Sequence, residues 1–408
     1  MFAIKDWWDS MYYDYLIIGA SAAGVAAATK IRSLDSEGTI GCIDKQDKIP
    51  YNTCLLVDVL SEEKTGKEIS IKPDLFFEEK NIDLLLDMSI EKIEPQEKKV
   101  ITSQKKEISY DTLLISTGTK ARSIGSISGQ GVFNFHELGD VDRIQEYSKN
   151  NSVKNILIIG AGLSGVEAAD ALVKEGCNIF IVERQSKVLP EFLNDKASHF
   201  LVDRMKKAGI TILSDTTVQK CEKSEEIFSV TCSSGQTLSV EMILITTGSM
   251  QNICLAEEIG IKTDSCGVIV NEYLETSKKD IFAAGDVIGL ISPALQKKVR
   301  NGTWPEAVKQ GMIAAQNMVQ QESRKYEVAT VLTSSRFFDL AFVSGGLLSA
   351  DDKKDVFIYQ DDDSYYCFIK EKDRLLGVVM IGQLRAVGYV RRALMGLIPF
   401  DRDTFLQS

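Results

Sequence analysis

Four-residue apolar runs, each followed at once by glycine, mark the skeleton of this chain. Tyr15-Leu16-Ile17-Ile18 runs into Gly19-Ala20-Ser21-Ala22-Ala23-Gly24, and Ile156-Leu157-Ile158-Ile159 runs into Gly160-Ala161-Gly162-Leu163-Ser164-Gly165. Runs this short and continuous, bounded by glycine, predict buried parallel strands, and the alanine-rich stretches behind them predict helices. Ile40-Gly41-Cys42-Ile43 and Ile179-Phe180-Ile181-Val182 predict the next strand of each unit, so 14–48 and 153–184 read as two βαβ units. Each is followed by a further apolar strand that ends in a Thr-Gly turn. Thr112-Leu113-Leu114-Ile115 leads into Ser116-Thr117-Gly118-Thr119, and Met242-Ile243-Leu244-Ile245 into Thr246-Thr247-Gly248-Ser249. The halves are therefore a degenerate internal repeat.

Smaller elements fill the rest. Lys99-Val100-Ile101 is expected to form a hairpin with Ile108-Ser109-Tyr110, inside an otherwise polar helix-and-loop region. Alternation near the end predicts three strands, Val356–Tyr359, Tyr365–Ile369 and Leu376–Ile381, then a Leu/Met-rich helix over Ala386–Leu397. A sheet and helix of that size leave one apolar face to cover, which predicts either pairing of two chains as a homodimer or packing on the chain's own first domain.

The glycine turns carry the chemistry. A pyrophosphate needs bare backbone at a helix N-terminus, where N–H groups and the helix dipole favour negative charge. Roughly 20–25 residues past each first glycine stands an acid at a strand end, Asp44 and Glu183, placed to accept hydrogen bonds from ribose hydroxyls or else serving as a solvated turn residue. Ser21 occupies the position of the usual second glycine. Two such turns in one chain point to two nucleotides held together, and so to electron transfer between them.

Composition narrows the class. The 408 residues are 44% hydrophobic and 26% charged, values of an ordinary globular enzyme of two to three domains. A net charge of -11 speaks against nucleic-acid binding, and no apolar run approaches the ~20 residues of a membrane span. The leader through Tyr13 is polar and aromatic, with Lys5, Asp6 and Asp9; it reads as an interfacial tag or as sequence ahead of a true start at Met11. Eight cysteines without CxxC or zinc spacing predict a reducing, cytoplasmic setting and no metal site. The two histidines, His136 and His199, read as surface residues.

On these motifs the chain resembles the FAD-dependent pyridine nucleotide–disulfide oxidoreductases, from about Asp14 onward. The resemblance implies an α/β fold with two Rossmann-like domains. An FAD domain in two parts (1–123 and 247–325) brackets an inserted NAD(P)H domain (124–246), and a small α+β C-terminal interface domain (326–408) follows. It implies FAD at Gly19, Ser21, Gly24, Asp44 and Lys45, and NADH at Gly160, Gly162, Gly165 and Glu183, with Arg184 softening discrimination against NADPH. Thr117-Gly118 and Thr247-Gly248 resemble the domain-crossing turns. The stretch Thr276–Asp286 is similar to the second FAD motif, whose Gly285-Asp286 reaches the ribityl chain. Glu167 matches a glutamate beside the flavin–nicotinamide contact. Trp304-Pro305-Glu306-Ala307 resembles a helix start aimed at the flavin, although a tryptophan there also serves as a core residue.

One cysteine selects the branch. Cys54, in Pro50-Tyr51-Asn52-Thr53-Cys54-Leu55-Leu56, has no cysteine partner nearby, which excludes the dithiol branches. The remaining single-cysteine branch holds coenzyme A disulfide reductases, NADH oxidases and peroxidases, and polysulfide or persulfide reductases. Asn52 or Thr53 is expected to cap a helix over Leu55–Leu60 and so lower the Cys54 pKa; the alternative is an inert packing cysteine, the reading given to Cys42, Cys177 and Cys232. Ala22 stands where peroxidases carry a histidine, which favours thiol over peroxide chemistry. The tail resembles the shorter one of NADH:rubredoxin reductases, particularly over Leu375–Gly382. The readings are thus three: a reductase of a small disulfide, persulfide or polysulfide through Cys54; a reductase of a small carrier protein of rubredoxin or ferredoxin type; and a flavin-bound redox sensor with little turnover.

Overall fold

The structure is a computed structural model that describes residues 11–292, 297–300, 302–328, 332–351 and 354–407. The expectation for the segment before Met11 lies outside the described residues. Parallel strands Ile82–Leu85, Ile40–Ile43, Met11–Ile18 and Glu107–Ile115 form the first sheet, in that order. The order reverses at Met11–Ile18, which gives the sheet its switch point at the carboxyl end of that strand. Glu107–Ile115 is one nine-residue strand, where two separate pieces were expected. Its length has a purpose: residues 107–109 take the antiparallel strand Lys99–Thr102, and residues 113–115 take Ile281–Ala283 in parallel. The late segment thereby returns to the early sheet. Ile82–Leu85 and Ile90–Glu94 lie in the stretch expected to be helix and loop.

Helix Ala22–Leu34 is rich in alanine for a packing reason beyond its helix propensity. Helix Trp304–Val319 lies against it so closely that a Cβ on Gly311 would stand 2.1 Å from the Ala23 carbonyl oxygen. Ala23, Ala27, Ala314 and Ala315 are all buried in this contact region.

The second sheet is all parallel, ordered Thr211–Leu213, Asn178–Val182, Asn155–Ile159, Met242–Ile245, Val132–Asn134. A two-stranded antiparallel ribbon of Thr119–Ala121 and Ser249–Gln251 carries the chain from one sheet to the other and back. Tyr326 and Val328 still pack on the core of the first sheet.

The C-terminal sheet has five antiparallel strands, where three were expected: Thr333–Phe337, Leu340–Gly346, Arg374–Gly382, Tyr365–Glu371 and Asp355–Gln360. Its helix is Val387–Leu394, shorter than expected, and a second helix, Arg402–Gln407, follows. One face packs under these helices with Phe400 and Phe405. The other, with Phe342, Tyr365 and Val379, joins a core with Leu193, Phe200 and Leu201 of the inserted domain. Much of the sheet is thus covered within one chain, one face by these helices and the other by the inserted domain rather than the first, while Val356, Ile358 and Tyr359 of the edge strand Asp355–Gln360 stay exposed.

Candidate functional site

The two glycine turns are built alike. Gly19 has φ +103°, and a Cβ on it would lie 2.3 Å from the Ser116 carbonyl oxygen; at Gly160 the values are +109° and 2.6 Å to the Thr246 carbonyl oxygen. Only glycine suits such a place. A Cβ on Gly24 would stand 1.9 Å from the Gly19 carbonyl oxygen, and one on Gly165 2.1 Å from that of Gly160. The helix N-terminus is thereby drawn against the strand end. Hydroxyls lock both turns: Ser116 Oγ donates to the Ile18 and Gly19 carbonyls, and Thr246 Oγ1 to those of Ile159 and Gly160. Their place ahead of the Thr-Gly turns is the signal that identifies them, yet sequence reasoning gave them no role.

The acids also correspond. Asp44 accepts from Ala20 N–H at 2.7 Å and Gln46 N–H at 2.9 Å, and Glu183 from Ala161 N–H at 2.7 Å and Gln185 N–H at 2.8 Å. Each carboxylate is pinned beneath its turn. Ser21 and Gly162 are the N-caps of the two helices, both in extended backbone, and neither makes a side-chain cap bond. A Cβ on Gly162 would meet nothing within 4 Å. The position therefore tolerates serine, and a ligand is what would fill the space.

Lys45 stands apart from these groups. It is exposed and pairs with Glu137 at 3.1 Å, on the wall of a cleft of about 330 Å³ that Lys48 and Arg143 also line. Thr117 and Gly118 hold the crossing ribbon: Thr117 Oγ1 donates to the Asn252 carbonyl, Asn252 Nδ2 donates back to that of Thr117, and Asn252 N–H donates to that of Gly118. Gly248 accepts from Arg122 N–H on the return crossing. Gly285 donates its N–H to the buried Gln310 Oε1 at 2.8 Å. Gln310 Nε2 donates to Tyr326 Oη at 3.1 Å, and the Tyr326 hydroxyl donates to Glu306. This chain, buried at Gln310 and Glu306 and half-buried at Tyr326, ties the Gly285-Asp286 turn to helix Trp304–Val319.

Cys54, Glu167 and Asp286 come together, one from each of three distant stretches. Asn52, rather than Thr53, supplies the cap: its Oδ1 accepts from Cys54 N–H at 3.0 Å. The helix behind it is a turn of 3₁₀, Thr53–Leu55, and then Leu56–Leu60. The expected fall in thiol pKa does not follow. Cys54 is exposed as a residue, but protein crowds its sulfur; burial, then the Glu167 and Asp286 carboxylates, push the thiol up. A single turn of helix is too weak to outweigh two acids. Burial also pushes Asp286 up to about 6, and Glu167 up to about 7 against a Ser335 hydrogen bond that pulls it down.

FAD fits these residues. The Gly19–Gly24 turn leaves bare backbone for a pyrophosphate, and the Thr303 hydroxyl, capping position of Trp304–Val319, is buried without a partner. Among the described residues no group of three or more His, Cys, Asp or Glu side chains could hold a metal, and no helix is long and apolar enough to cross a membrane.

The chain is similar to known proteins in sequence and in fold. The NADH oxidase of Methanocaldococcus jannaschii is 29% identical over 341 residues, 81% of this chain and 75% of that one. The NAD(P)H coenzyme A polysulfide/persulfide reductase of Pyrococcus horikoshii is 26% identical over 397 residues, 92% of this chain and 88% of that one. The crystal structure of NADH:rubredoxin oxidoreductase from Clostridium acetobutylicum shares the fold, with TM-score 0.79, 24% identity, and coverage of 97% of this chain and 98% of that one. Residues 13–311 match the family itself, and a match over most of the length establishes membership: this chain is a pyridine nucleotide-disulphide oxidoreductase.

Proposed function

We propose that this enzyme carries electrons from NADH through FAD to a small disulfide, persulfide or polysulfide, with Cys54 as the sulfur that engages the acceptor. As a family member it is an NAD(P)H oxidoreductase with FAD and a nicotinamide nucleotide as cofactors. Bound FAD supplies the two-electron relay between nicotinamide and acceptor. The chain's own residues align the partners. Gly19, Ser21, Gly24, Asp44 and Asp286 would hold the flavin nucleotide; Gly160, Gly162, Gly165 and Glu183 would hold NADH. A buried carboxylate at Glu183 repels a 2′-phosphate, while the exposed Arg184 attracts one, so NADH is preferred without NADPH being excluded. All eight cysteines are unpaired, which suits a reducing cytoplasm.

The observation that carries the proposal is the meeting of Cys54 with Glu167 and Asp286. The Leu56–Leu60 helix behind Cys54 packs on helix Leu163–Lys174, which supports a thiol near the meeting of the two nucleotide-binding halves. A second reading is favoured by the same cluster. Two acids beside the sulfur oppose the thiolate that mixed-disulfide chemistry needs, which suits a reductase of a small carrier protein with Cys54 a spectator. The rubredoxin reductase named above is a protein of that kind. Steady-state NADH oxidation with disulfides, polysulfide, a rubredoxin and a ferredoxin separates the two readings. Faster turnover with the sulfur acceptors is expected; turnover with a carrier alone rejects the thiol route, and none with any acceptor favours a sensor.

A further inference from the structure

Glu167 is held from outside its own domain. The Ser335 hydroxyl, on the first strand of the C-terminal sheet, donates to Glu167 Oε1 at 2.5 Å. That strand, Thr333–Phe337, packs on helix Leu163–Lys174 here. Asp58, on the short helix after Cys54, is the other charged group facing the carboxyl, and Lys64 pairs with Asp58 at 2.5 Å. Cys54 and, beyond it, Asp286 complete the surroundings. Arg336 is exposed, and strand alternation turns it to the opposite side from Ser335. Among the described residues no lysine, arginine or histidine makes an ion pair with Glu167, so a neutral hydroxyl from another domain is what steadies its charge.

We propose that Ser335 is a positioning residue of the hydride-transfer site: its hydroxyl fixes the Glu167 carboxyl and favours its ionised form, so the C-terminal domain sets the charge beside the nicotinamide. This rests on the reading that Glu167 lies at the flavin–nicotinamide contact. A carboxylate there favours the positive charge that nicotinamide gains when it gives up hydride, and a carboxylic acid does not. Burial raises Glu167 to about 7, where one hydrogen bond decides which form prevails. Removing a donor to a charged group moves such a midpoint up by roughly one pH unit.

The test uses holoenzyme with ¹³C-labelled glutamate carboxyls, titrated by NMR while the absorbance of the bound flavin is followed. Glu167→Gln identifies the signal. Ser335→Ala is expected to raise the Glu167 midpoint by roughly one unit and to carry a matching step in the flavin spectrum with it. Ser335→Thr, which keeps the hydroxyl, restores both. An unmoved Glu167 midpoint in a Ser335→Ala variant of native colour and Tm overturns the proposal. A midpoint that moves while the flavin spectrum ignores it overturns instead the placement of Glu167 beside the flavin, so the two failures are told apart.

Discussion

In the first half of the chain the helix after the glycine turn is sealed by a second long helix of the same domain, backbone nearly on backbone at Ala23 and Gly311. In the second half the corresponding helix, Leu163–Lys174, meets short elements from elsewhere: the Leu56–Leu60 helix behind Cys54 and the Thr333–Phe337 strand. The turns themselves are near copies, down to the hydroxyls that lock them and the acids pinned below. What differs is the surrounding, and it suits the different tasks. A sealed helix with a Gln310–Tyr326–Glu306 chain behind it suits a nucleotide that stays, whereas a helix bordered by elements of two other domains suits one that comes and goes.

The most severe break in this comparison is a side chain at the third glycine of each turn. Gly24→Val places a methyl-bearing Cβ 1.9 Å from a carbonyl oxygen, so the protein is expected to purify colourless. Gly165→Val, at 2.1 Å, is expected to stay yellow and lose reduction by NADH. Absorbance at purification and anaerobic NADH titration read the pair, and a yellow Gly24→Val undoes the assignment of the first turn.

Next in size is the seal. Gly311→Val must push the two helices apart, overpacking that costs roughly 1–3 kcal/mol. Flavin dissociation should rise ten- to hundredfold, read by fluorescence of released FAD, while NADH affinity stays put. Equal loss of both would mean the halves are not sealed differently.

Coenzyme choice sharpens the second half. Glu183→Ser should shift the ratio of kcat/KM toward NADPH by roughly tenfold, the equivalent of ~1.4 kcal/mol. A wild type that prefers NADPH, or a ratio that stays constant, contradicts the role of Glu183.

A smaller effect follows from pH. Asp286 sits at about 6 in the folded chain without its ligand, above its unfolded value of ~3.9. The folded state therefore holds the proton more tightly. This group's stabilisation is full below pH ~4 and is lost as pH rises through about 6, at most ~3 kcal/mol. Flavin-free Asp286→Asn should accordingly melt higher than flavin-free wild type at pH 8, with the gain shrinking at pH 4, and should bind FAD less well. Melting curves at the two pH values check the sign.

Local signals made much of this readable in advance. The strands before Gly19 and Gly160 announce themselves because their hydrophobic runs stop at a residue that backbone geometry requires. Strands Thr333–Phe337 and Leu340–Gly346 went unread: the first opens Thr333-Ser334-Ser335-Arg336 and the second ends Gly345-Gly346, chemistry that looks like a turn until a neighbouring strand pairs with it. Ile82–Leu85 is a short edge strand interrupted by Asp83, too brief for a period to show. The Asn52 cap of Cys54 was legible, being two residues away. The acids that outweigh it were not, because only folding brings Glu167 and Asp286 to the sulfur, and the same holds for the Ser335–Glu167 bond.

Cys54→Ser tests the central claim most directly. Serine keeps a hydroxyl at nearly the same volume but, with its far higher pKa, forms no mixed disulfide. FAD content and the rate of flavin reduction by NADH should match wild type, and turnover with disulfide, persulfide and polysulfide should fall by roughly a thousandfold or more. A Cys54→Ser enzyme that keeps full activity with every one of those acceptors contradicts the thiol route and leaves the carrier reductase as the reading of this site.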